Sequence, residues 1–144
     1  MRLITVEDIP EIIGHLLVMR EESPVFCEVD PDPEYTARHL TAMIQHRNFL
    51  GLIEPGRGFM FGSVSSTWYN PRVDAYDYLL YVSQSARNGI LAVRLIKQFE
   101  QMAKSAGAAY MCVGISSGMN VERTTALYKK LGYEAFSSGL RKKL

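Results

Sequence analysis

The sequence predicts an α/β fold, a mixed central β-sheet of the α+β kind with helices on both faces, built as a single domain. The chain has 144 residues, of which 47% are hydrophobic, which suits one globular core. In residues 75–115 an amphipathic helix lies between two apolar, strand-like segments, which indicates a βαβ unit with parallel strands. A turn signal at residues 55–58 joins two earlier strand candidates, which indicates an antiparallel pair.

The first half of the chain predicts one strand, two helices and a hairpin. Residues 1–5 are a short strand candidate, and Thr5 and Asp8 resemble a capping box before an apolar stripe at helical spacing. Residues 21–33 contain three prolines and predict a loop, and residues 34–46 predict a second helix. Strands are then expected at residues 48–54 and 58–68.

The second half alternates strands and helices. Residues 75–82 are dense in Tyr and Leu and predict a buried strand, and residues 90–106 have the period of a helix that Gly107 would cap. A strand at 108–115 and a short helix at 121–131 follow. From Tyr133 we expect a strand or a hairpin around Ser137-Ser138-Gly139. The predicted order is β-α-α-β-β-β-α-β-α-β(β).

Composition narrows the classes of function. A formal net charge of +1 supplies no field for nucleic acid or membrane, and the basic end at residues 141–143 is typical of solvated surface. Cys27 and Cys112 have no metal or redox spacing, and the histidines show no metal spacing either, so no metal is expected. No segment has the apolar length of a signal peptide or a membrane span. These observations predict a cytoplasmic protein.

The junction at residues 82–92, between a buried strand and the long helix, is the most informative candidate site. A helix leaves its first backbone N–H groups unpaired and carries partial positive charge at that end, which suits a phosphate. Arg87 would add a charged fork, and Gly89 would let a ligand approach the backbone. The same residues also suit an ordinary βα turn without a ligand, so both interpretations stay open.

Two stretches carry a resemblance to a known family. Residues 87–92 read Arg-Asn-Gly-Ile-Leu-Ala at the start of the long helix. Later, Asn120 precedes a short helix that contains Tyr128 and ends in Leu-Gly-Tyr at residues 131–133. With the opening strand and helix, this order resembles the GNAT superfamily of N-acetyltransferases along essentially the whole chain. That family has Arg or Gln, two residues, Gly, one residue, then Gly or Ala, whereas here Ile90 stands at the expected glycine.

The resemblance implies acetyl-CoA as co-substrate, with its diphosphate on the turn before the long helix. Strands at residues 79–82 and 110–115 would separate into a slot, and the first of them would pair with the pantetheine amides. The implied cofactor-binding residues are Leu80, Tyr81, Val82, Arg87, Asn88, Gly89, Ile90, Leu91, Ala92, Val93, Asn120 and Tyr128.

The resemblance also implies catalytic roles. Tyr128 matches the tyrosine that protonates the leaving thiolate, although its helical spacing equally suits a core aromatic residue. Family members often carry a carboxylate on the strand at residues 75–82, where Asp77 is the one acid. Strand alternation predicts that Asp77 shares a face with Leu79 and Tyr81, opposite Tyr76, the position that aligns with the usual carboxylate. Acids of the loop before the second helix, Glu28 and Asp30, remain alternatives for the base.

The implied activity is direct transfer of an acetyl group to the primary amine of a small molecule or peptide. Family members are commonly dimers, so a homodimer is one expectation, and no nucleic-acid or membrane partner is expected. One alternative is a catalytically silent module with the same fold that binds acyl-CoA or another protein. A second alternative, less favoured by the near-neutral charge, is a nucleic-acid-binding protein that uses the basic residues 141–143.

Overall fold

A computed structural model describes residues 1–136, 139 and 141–142 of the chain. Within them lies a five-stranded sheet in which sequence order and spatial order coincide. The strands are β1 Arg2–Leu3, β2 Phe49–Glu54, β3 Gly58–Thr67, β4 Asn70–Val82 and β5 Met111–Cys112. The pairs from β1 to β4 are antiparallel, and β4 pairs with β5 in parallel. The sheet is therefore mixed, as predicted.

Helices cover both faces of this sheet and bury a separate core on each. The helices are α1 Ile9–Glu22, α2 Pro33–Gln45, α3 Leu91–Ser105 and α4 Val121–Lys130. Under α1 and α2, Ile12 packs against Ile53 and Phe59. Under α3 and α4, Phe99 and Tyr128 belong to the second core. Burying two apolar faces in this way is the main source of stability for such a layered domain.

A 3₁₀ turn at Val6–Asp8 leads into α1 and carries the predicted capping box of Thr5 and Asp8. The Asp8 carboxylate accepts a 2.8 Å hydrogen bond from the backbone N–H of Thr5 and two bonds from the Arg2 guanidinium, at 2.6 and 2.7 Å. The Arg2 guanidinium lowers the pKa of the Asp8 carboxyl below its usual range. This contact ties β1 to α1 and so orients the helix that later borders the site.

The pairing of β4 with β5 ends early, and this corrects the predicted strand at residues 108–115. The last pair is Tyr76 with Cys112, although β4 continues to Val82. A β-bulge lies just beyond, because Phe61 of β3 pairs with Leu79 while Gly62 pairs with Asp77. A bulge bends its strand and increases its twist, so the end of β4 turns away from β5. The two strands therefore separate over their last residues.

Two other predictions need correction. α3 begins at Leu91 rather than Ile90, because the preceding turn places Asn88 in a left-handed conformation, with φ of 69°. No strand forms at residues 133–136, and Ser137 and Ser138 of the predicted hairpin lie outside the described residues. Tyr133 is held instead by its ring, which meets Tyr128 edge-on at 5.0 Å, and by a 2.8 Å hydrogen bond that its hydroxyl donates to Glu100.

Candidate active site

A cavity of about 320 Å³ opens where β4 and β5 separate. Its walls are the end of β4, the turn into α3, the loop after β5 and one side of α4. Ten of the twelve residues implied by the family resemblance line it: Leu80, Tyr81, Val82, Arg87, Asn88, Gly89, Ala92, Val93, Asn120 and Tyr128. Ile90 and Leu91 do not. The structure therefore brings distant parts of the sequence, residues 80–93 and 120–128, to one cavity.

The turn into α3 presents unpaired backbone N–H groups. The first bond of the helix runs from the N–H of Arg94 to the carbonyl of Ile90, at 3.0 Å. The N–H groups of residues 88–93 donate no hydrogen bond to another described residue. Consecutive unpaired N–H groups at the positive end of a fifteen-residue helix form a site suited to a phosphate.

The two residues of this turn that miss the cavity do so for opposite reasons. Leu91 is buried in the core beneath α3, at 2% exposure, so it can offer a ligand its N–H and not its side chain. Ile90 is 71% exposed and points its side chain to solvent. The isoleucine at the expected glycine position therefore does not fill the cavity.

Arg87 is held by protein groups, which corrects the expectation of a charged fork aimed at phosphate. Its Nε donates to the carbonyl of Val82 at 2.9 Å, and its Nη2 donates to Oε2 of Glu22 at 2.5 Å. Burial tends to raise the pKa of Glu22, but hydrogen bonds from Arg87 and Gln84 outweigh it and lower the pKa. Arg87 thus braces the turn and satisfies one of the three β4 carbonyls expected to face the cofactor.

Arg123 is a cationic residue of the cavity that the sequence analysis missed. It lies in the first turn of α4, is exposed, and lines the same cavity as the turn into α3. Its Nη2 donates to Oδ1 of Asn88 at 2.6 Å, and within the described residues no carboxylate lies within ion-pair distance of it. No local sequence pattern marks Arg123 as part of the site, because only the packing of α4 in the folded protein brings it beside Asn88.

Asn120 precedes α4 in a left-handed conformation, with φ of 45°. An Asn at this position usually caps the helix with its side chain. Here the side chain makes no capping hydrogen bond, and the residue lines the cavity. A left-handed non-glycine residue costs on the order of 1 kcal/mol or more, and such residues are concentrated at functional sites.

Tyr128 of α4 lines the cavity. The residue is 5% exposed and packs in the core, and its hydroxyl makes no hydrogen bond to another described residue. Burial, with help from the charges of Asp77 and Glu100, raises the pKa of Tyr128 well above its ordinary value. The phenol therefore stays protonated near neutral pH and is able to donate a proton or a hydrogen bond into the cavity.

A second cavity, of about 780 Å³, meets the first at Tyr128. The wall shared by the two cavities consists of residues 114–116 and Tyr128. The second cavity is also lined by Phe26 and Phe136 and by three charged residues, Lys129, Glu134 and Arg141. A ligand in either cavity would therefore lie beside Tyr128.

Asp77 lies behind this wall and lines neither cavity. Its Oδ1 accepts a 2.9 Å hydrogen bond from the backbone N–H of Gly114, across the gap where the strands separate. The predicted alternation is wrong, because the bulge shifts its phase. Leu79 and Tyr81 pack with the α1 core, whereas Asp77 acts electrostatically on Tyr128 of the opposite core. Burial raises the pKa of Asp77 to about 6, although the Gly114 N–H opposes the shift.

The other acids considered as a base are exposed and paired. Glu28 lies 3.4 Å from Arg141, and Asp30 lies 2.6 Å from Arg20. Neither lines either cavity. Among the residues that the structure describes, no three His, Cys, Asp or Glu side chains are placed to hold a metal ion. None of the described helices is long and apolar enough to cross a membrane.

The sequence and the structure were compared with those of known proteins. No family model matches the sequence, and neither does a curated protein. Among solved structures, the chain is similar to an aminoglycoside acetyltransferase from an uncultured soil metagenomic sample, in complex with sisomicin. The TM-score is 0.70 at 21% identity, over 99% of this chain and 94% of that one.

Two further structures show the same likeness. For an acetyltransferase of Trypanosoma brucei the TM-score is 0.74 at 17% identity, over 99% of this chain and 97% of that one. For a transcriptional regulator from Bacillus halodurans C-125 it is 0.80 at 16%, with the same coverage. Identities this low establish the fold alone. The predicted GNAT-like architecture is thereby confirmed: this chain has the fold of proteins described as acetyltransferases.

Proposed function

We propose that this protein is an N-acetyltransferase that moves an acetyl group from acetyl-CoA directly to a primary amine. The observation that carries the proposal is one cavity that is lined both by the turn into α3, with its unpaired N–H groups, and by Tyr128. An acyl-CoA needs an anion-binding site for its diphosphate and a proton donor beside its thioester sulfur, and this cavity offers both. The acetyltransferases that share the fold support the same activity.

In this proposal the chain binds the cofactor with backbone groups more than with side chains. The N–H groups of residues 88–93 bind the diphosphate. Arg87 is ion-paired with Glu22, so Arg123 supplies the positive charge at the phosphates in its place. Leu80 and Tyr81 offer strand-like hydrogen bonds to the pantetheine amides on the edge of β4 that β5 has left. The Asn120 side chain, free of capping duty, is available to the same ligand.

The chemistry then requires one new bond and one broken bond. The amine loses one proton to solvent, and its neutral nitrogen then forms a C–N bond with the acetyl carbonyl carbon. As the tetrahedral intermediate collapses, the C–S bond breaks and the nitrogen loses its second proton to solvent, from which the Tyr128 phenolate is reprotonated. Tyr128, whose phenol is protonated near neutral pH, gives its proton to the departing sulfur. Asp77 touches neither cavity, so it fits a positioning role at Gly114 better than that of a base touching the amine.

The second cavity is the proposed place of the amine. It shares Tyr128 with the cofactor cavity, and Phe26 and Phe136 offer apolar surface to an acceptor. Its charged residues are Lys129, Glu134 and Arg141, so Glu134 is the carboxylate available to an amine there. The sisomicin complex of a protein with this fold supports a small-molecule amine over a peptide. The homodimer and the cytoplasmic location stay predictions from the sequence.

A turnover assay tests the proposal. Release of free thiol from acetyl-CoA would be followed against a panel of polyamines, aminoglycosides and peptide N-termini, with mass spectrometry of the products. The expected result is acceptor-dependent thiol release together with a product 42 Da heavier, about the mass an acetyl group adds to an amine.

One observation supports the alternative of a catalytically silent binding module: a transcriptional regulator shares the fold. A thermal-shift measurement with acetyl-CoA separates the two. Stabilisation by acetyl-CoA without turnover on any amine would support the silent module, and absence of both effects would contradict each of them.

A further inference from the structure

Two neighbouring residues at the end of α1 each bind a different wall of the first cavity. Glu22 binds the turn between β4 and α3, and Ser23 binds the loop between β5 and α4. These walls belong to the strands that separate after Cys112, so no β-sheet hydrogen bond joins them further along. Neither Glu22 nor Ser23 lines a cavity.

The Glu22 side chain holds the first wall with both carboxylate oxygens. Oε2 accepts from Nη2 of Arg87 at 2.5 Å, and Oε1 accepts from Nε2 of Gln84 at 2.6 Å. Arg87 passes the connection on to β4, since its Nε donates to the carbonyl of Val82 at 2.9 Å. The Glu22 side chain is only 14% exposed, so these charge-assisted bonds are partly shielded from water.

Ser23 holds the second wall from a buried position, at 2% exposure. Its hydroxyl donates to the carbonyl of Ser117 at 2.5 Å and accepts from the N–H groups of Val25 and Phe26 at 3.2 and 3.0 Å. One side-chain oxygen therefore joins the loop after β5 to the segment after α1, 94 residues away in the sequence. Removing it would leave buried polar groups unpaired.

Packing reinforces the second contact. Gly118 follows Ser117 in a left-handed conformation, with φ of 68°. A Cβ at this position would lie 2.9 Å from Cγ2 of Val25 and 3.1 Å from Cγ of Pro24. The loop therefore lies directly against the residues that follow Ser23, with no room for a side chain between them.

We propose that Glu22 and Ser23 form a clip that sets the width of the cavity and so the affinity for the cofactor. This α1 clip replaces the strand pairing that the bulge in β4 removes. The inference rests on the proposed function, because it takes the cavity as the acetyl-CoA site. Both are positioning residues, which act on the ligand through Arg87 and Ser117 and not by contact.

The test compares Glu22→Ala and Ser23→Ala with two control variants. Glu21→Ala removes an exposed carboxylate from the adjacent position, and Ser105→Ala removes an exposed hydroxyl at the end of α3. Hydrogen–deuterium exchange of the ligand-free proteins reports the mobility of each wall, and calorimetric titration with CoA reports affinity. Glu22→Gln, which keeps an oxygen for Arg87, serves as the conservative variant.

The proposed clip predicts a different result for the Glu22 variant and for the Ser23 variant. Ser23→Ala should speed exchange at residues 116–120, and Glu22→Ala should speed it at residues 84–93. Each should raise the Kd for CoA by about fivefold or more. Glu22→Gln should lie between wild type and Glu22→Ala, and the controls should match wild type. Wild-type exchange rates and affinity in both clip variants would overturn the inference.

The exchange measurement keeps this result distinct from the proposed function. If the wild-type protein fails to bind CoA, the proposed function is wrong, and local exchange alone decides whether the clip exists. If Ser23→Ala does not fold, the Glu22 variants decide, because Glu22→Gln keeps the volume of the side chain while removing its charge.

Discussion

The surroundings of Tyr128 determine which function its side chain can have. Its helical spacing suited a core aromatic residue, and the family resemblance implied a proton donor. In the structure the residue is buried in a core and also lines both cavities. Tyr128→Phe keeps the packed ring and removes the proton. We expect turnover to fall at least about tenfold with CoA affinity and folding unchanged. Steady-state kinetics with calorimetry checks this.

The matched control is Tyr110→Phe, since Tyr110 is exposed and its ring, stacked under the Arg72 guanidinium at 4.8 Å, is retained. It should leave turnover unchanged. Equal turnover of Tyr128→Phe and wild type would remove Tyr128 from the chemistry.

Asp77 gives a pH-dependent prediction. Burial raises its pKa from 3.8 to about 6 in the folded protein, so the folded state holds the proton more tightly than the unfolded chain. The stabilising effect of this proton is fully present below about pH 4 and is lost as pH rises through about 6.

Asp77→Asn keeps an oxygen for the Gly114 N–H but does not titrate. Urea unfolding should therefore show the variant gaining free energy of unfolding relative to wild type between pH 4 and pH 7. Parallel stability curves over that range would show that Asp77 is not buried as described.

Arg123 is the exposed cation of the proposed phosphate site. Arg123→Ala should weaken CoA binding by about tenfold and reduce its dependence on salt, because one charge-assisted contact is lost. Titrations at low and high salt measure both effects. Arg38→Ala, an exposed arginine of α2 outside both cavities, is the control. An unchanged salt dependence in Arg123→Ala would place the phosphates elsewhere.

At the scale of elements, the bulge in β4 determines whether a cavity exists. Gly62 faces it, and a Cβ there would lie 2.0 Å from the carbonyl oxygen of Tyr76. We expect Gly62→Ala to lower the free energy of unfolding by about 2 kcal/mol or more, since β3 and β4 must move apart. Chemical denaturation measures this change.

Gly14→Ala is the contrasting substitution. Gly14 is exposed on α1, and nothing lies within 4 Å of a Cβ at that position. It should raise the stability by about 0.5–1 kcal/mol through helix propensity alone. Similar losses in both variants would show that Gly62 is not a tightly packed position.

Local signals predicted the helices, β2 and β3 well, because periodicity and turn residues are properties of neighbouring residues. They placed the start of β4 at residue 75, whereas the strand begins at Asn70. The start of α1 followed from Asp8 and the hairpin from residues 55–58. The length of β5 did not, since it depends on a bulge in another strand. The same bulge places the Asp77 side chain on the face of the sheet opposite to the predicted one. The contacts of Arg123 with Asn88 and of Glu22 with Arg87 join distant parts of the sequence, so no local pattern predicted them.

On the scale of the whole molecule, the two cores meet at the sheet, and the site lies where the sheet is interrupted. α3 and α4 bring the phosphate-binding turn, Arg123 and Tyr128 to one side, while α1 reaches over from the other face through Glu22 and Ser23. The fold is shared by acetyltransferases and by a transcriptional regulator, so the site rather than the fold supports the proposed function.

A crystal structure of the protein with acetyl-CoA would test the proposed cofactor site. We expect the diphosphate within about 3 Å of the backbone nitrogens of residues 88–93, and the thioester sulfur within hydrogen-bond reach of the Tyr128 hydroxyl. An empty cavity at saturating ligand, or a cofactor bound with its phosphates away from this turn, would contradict it.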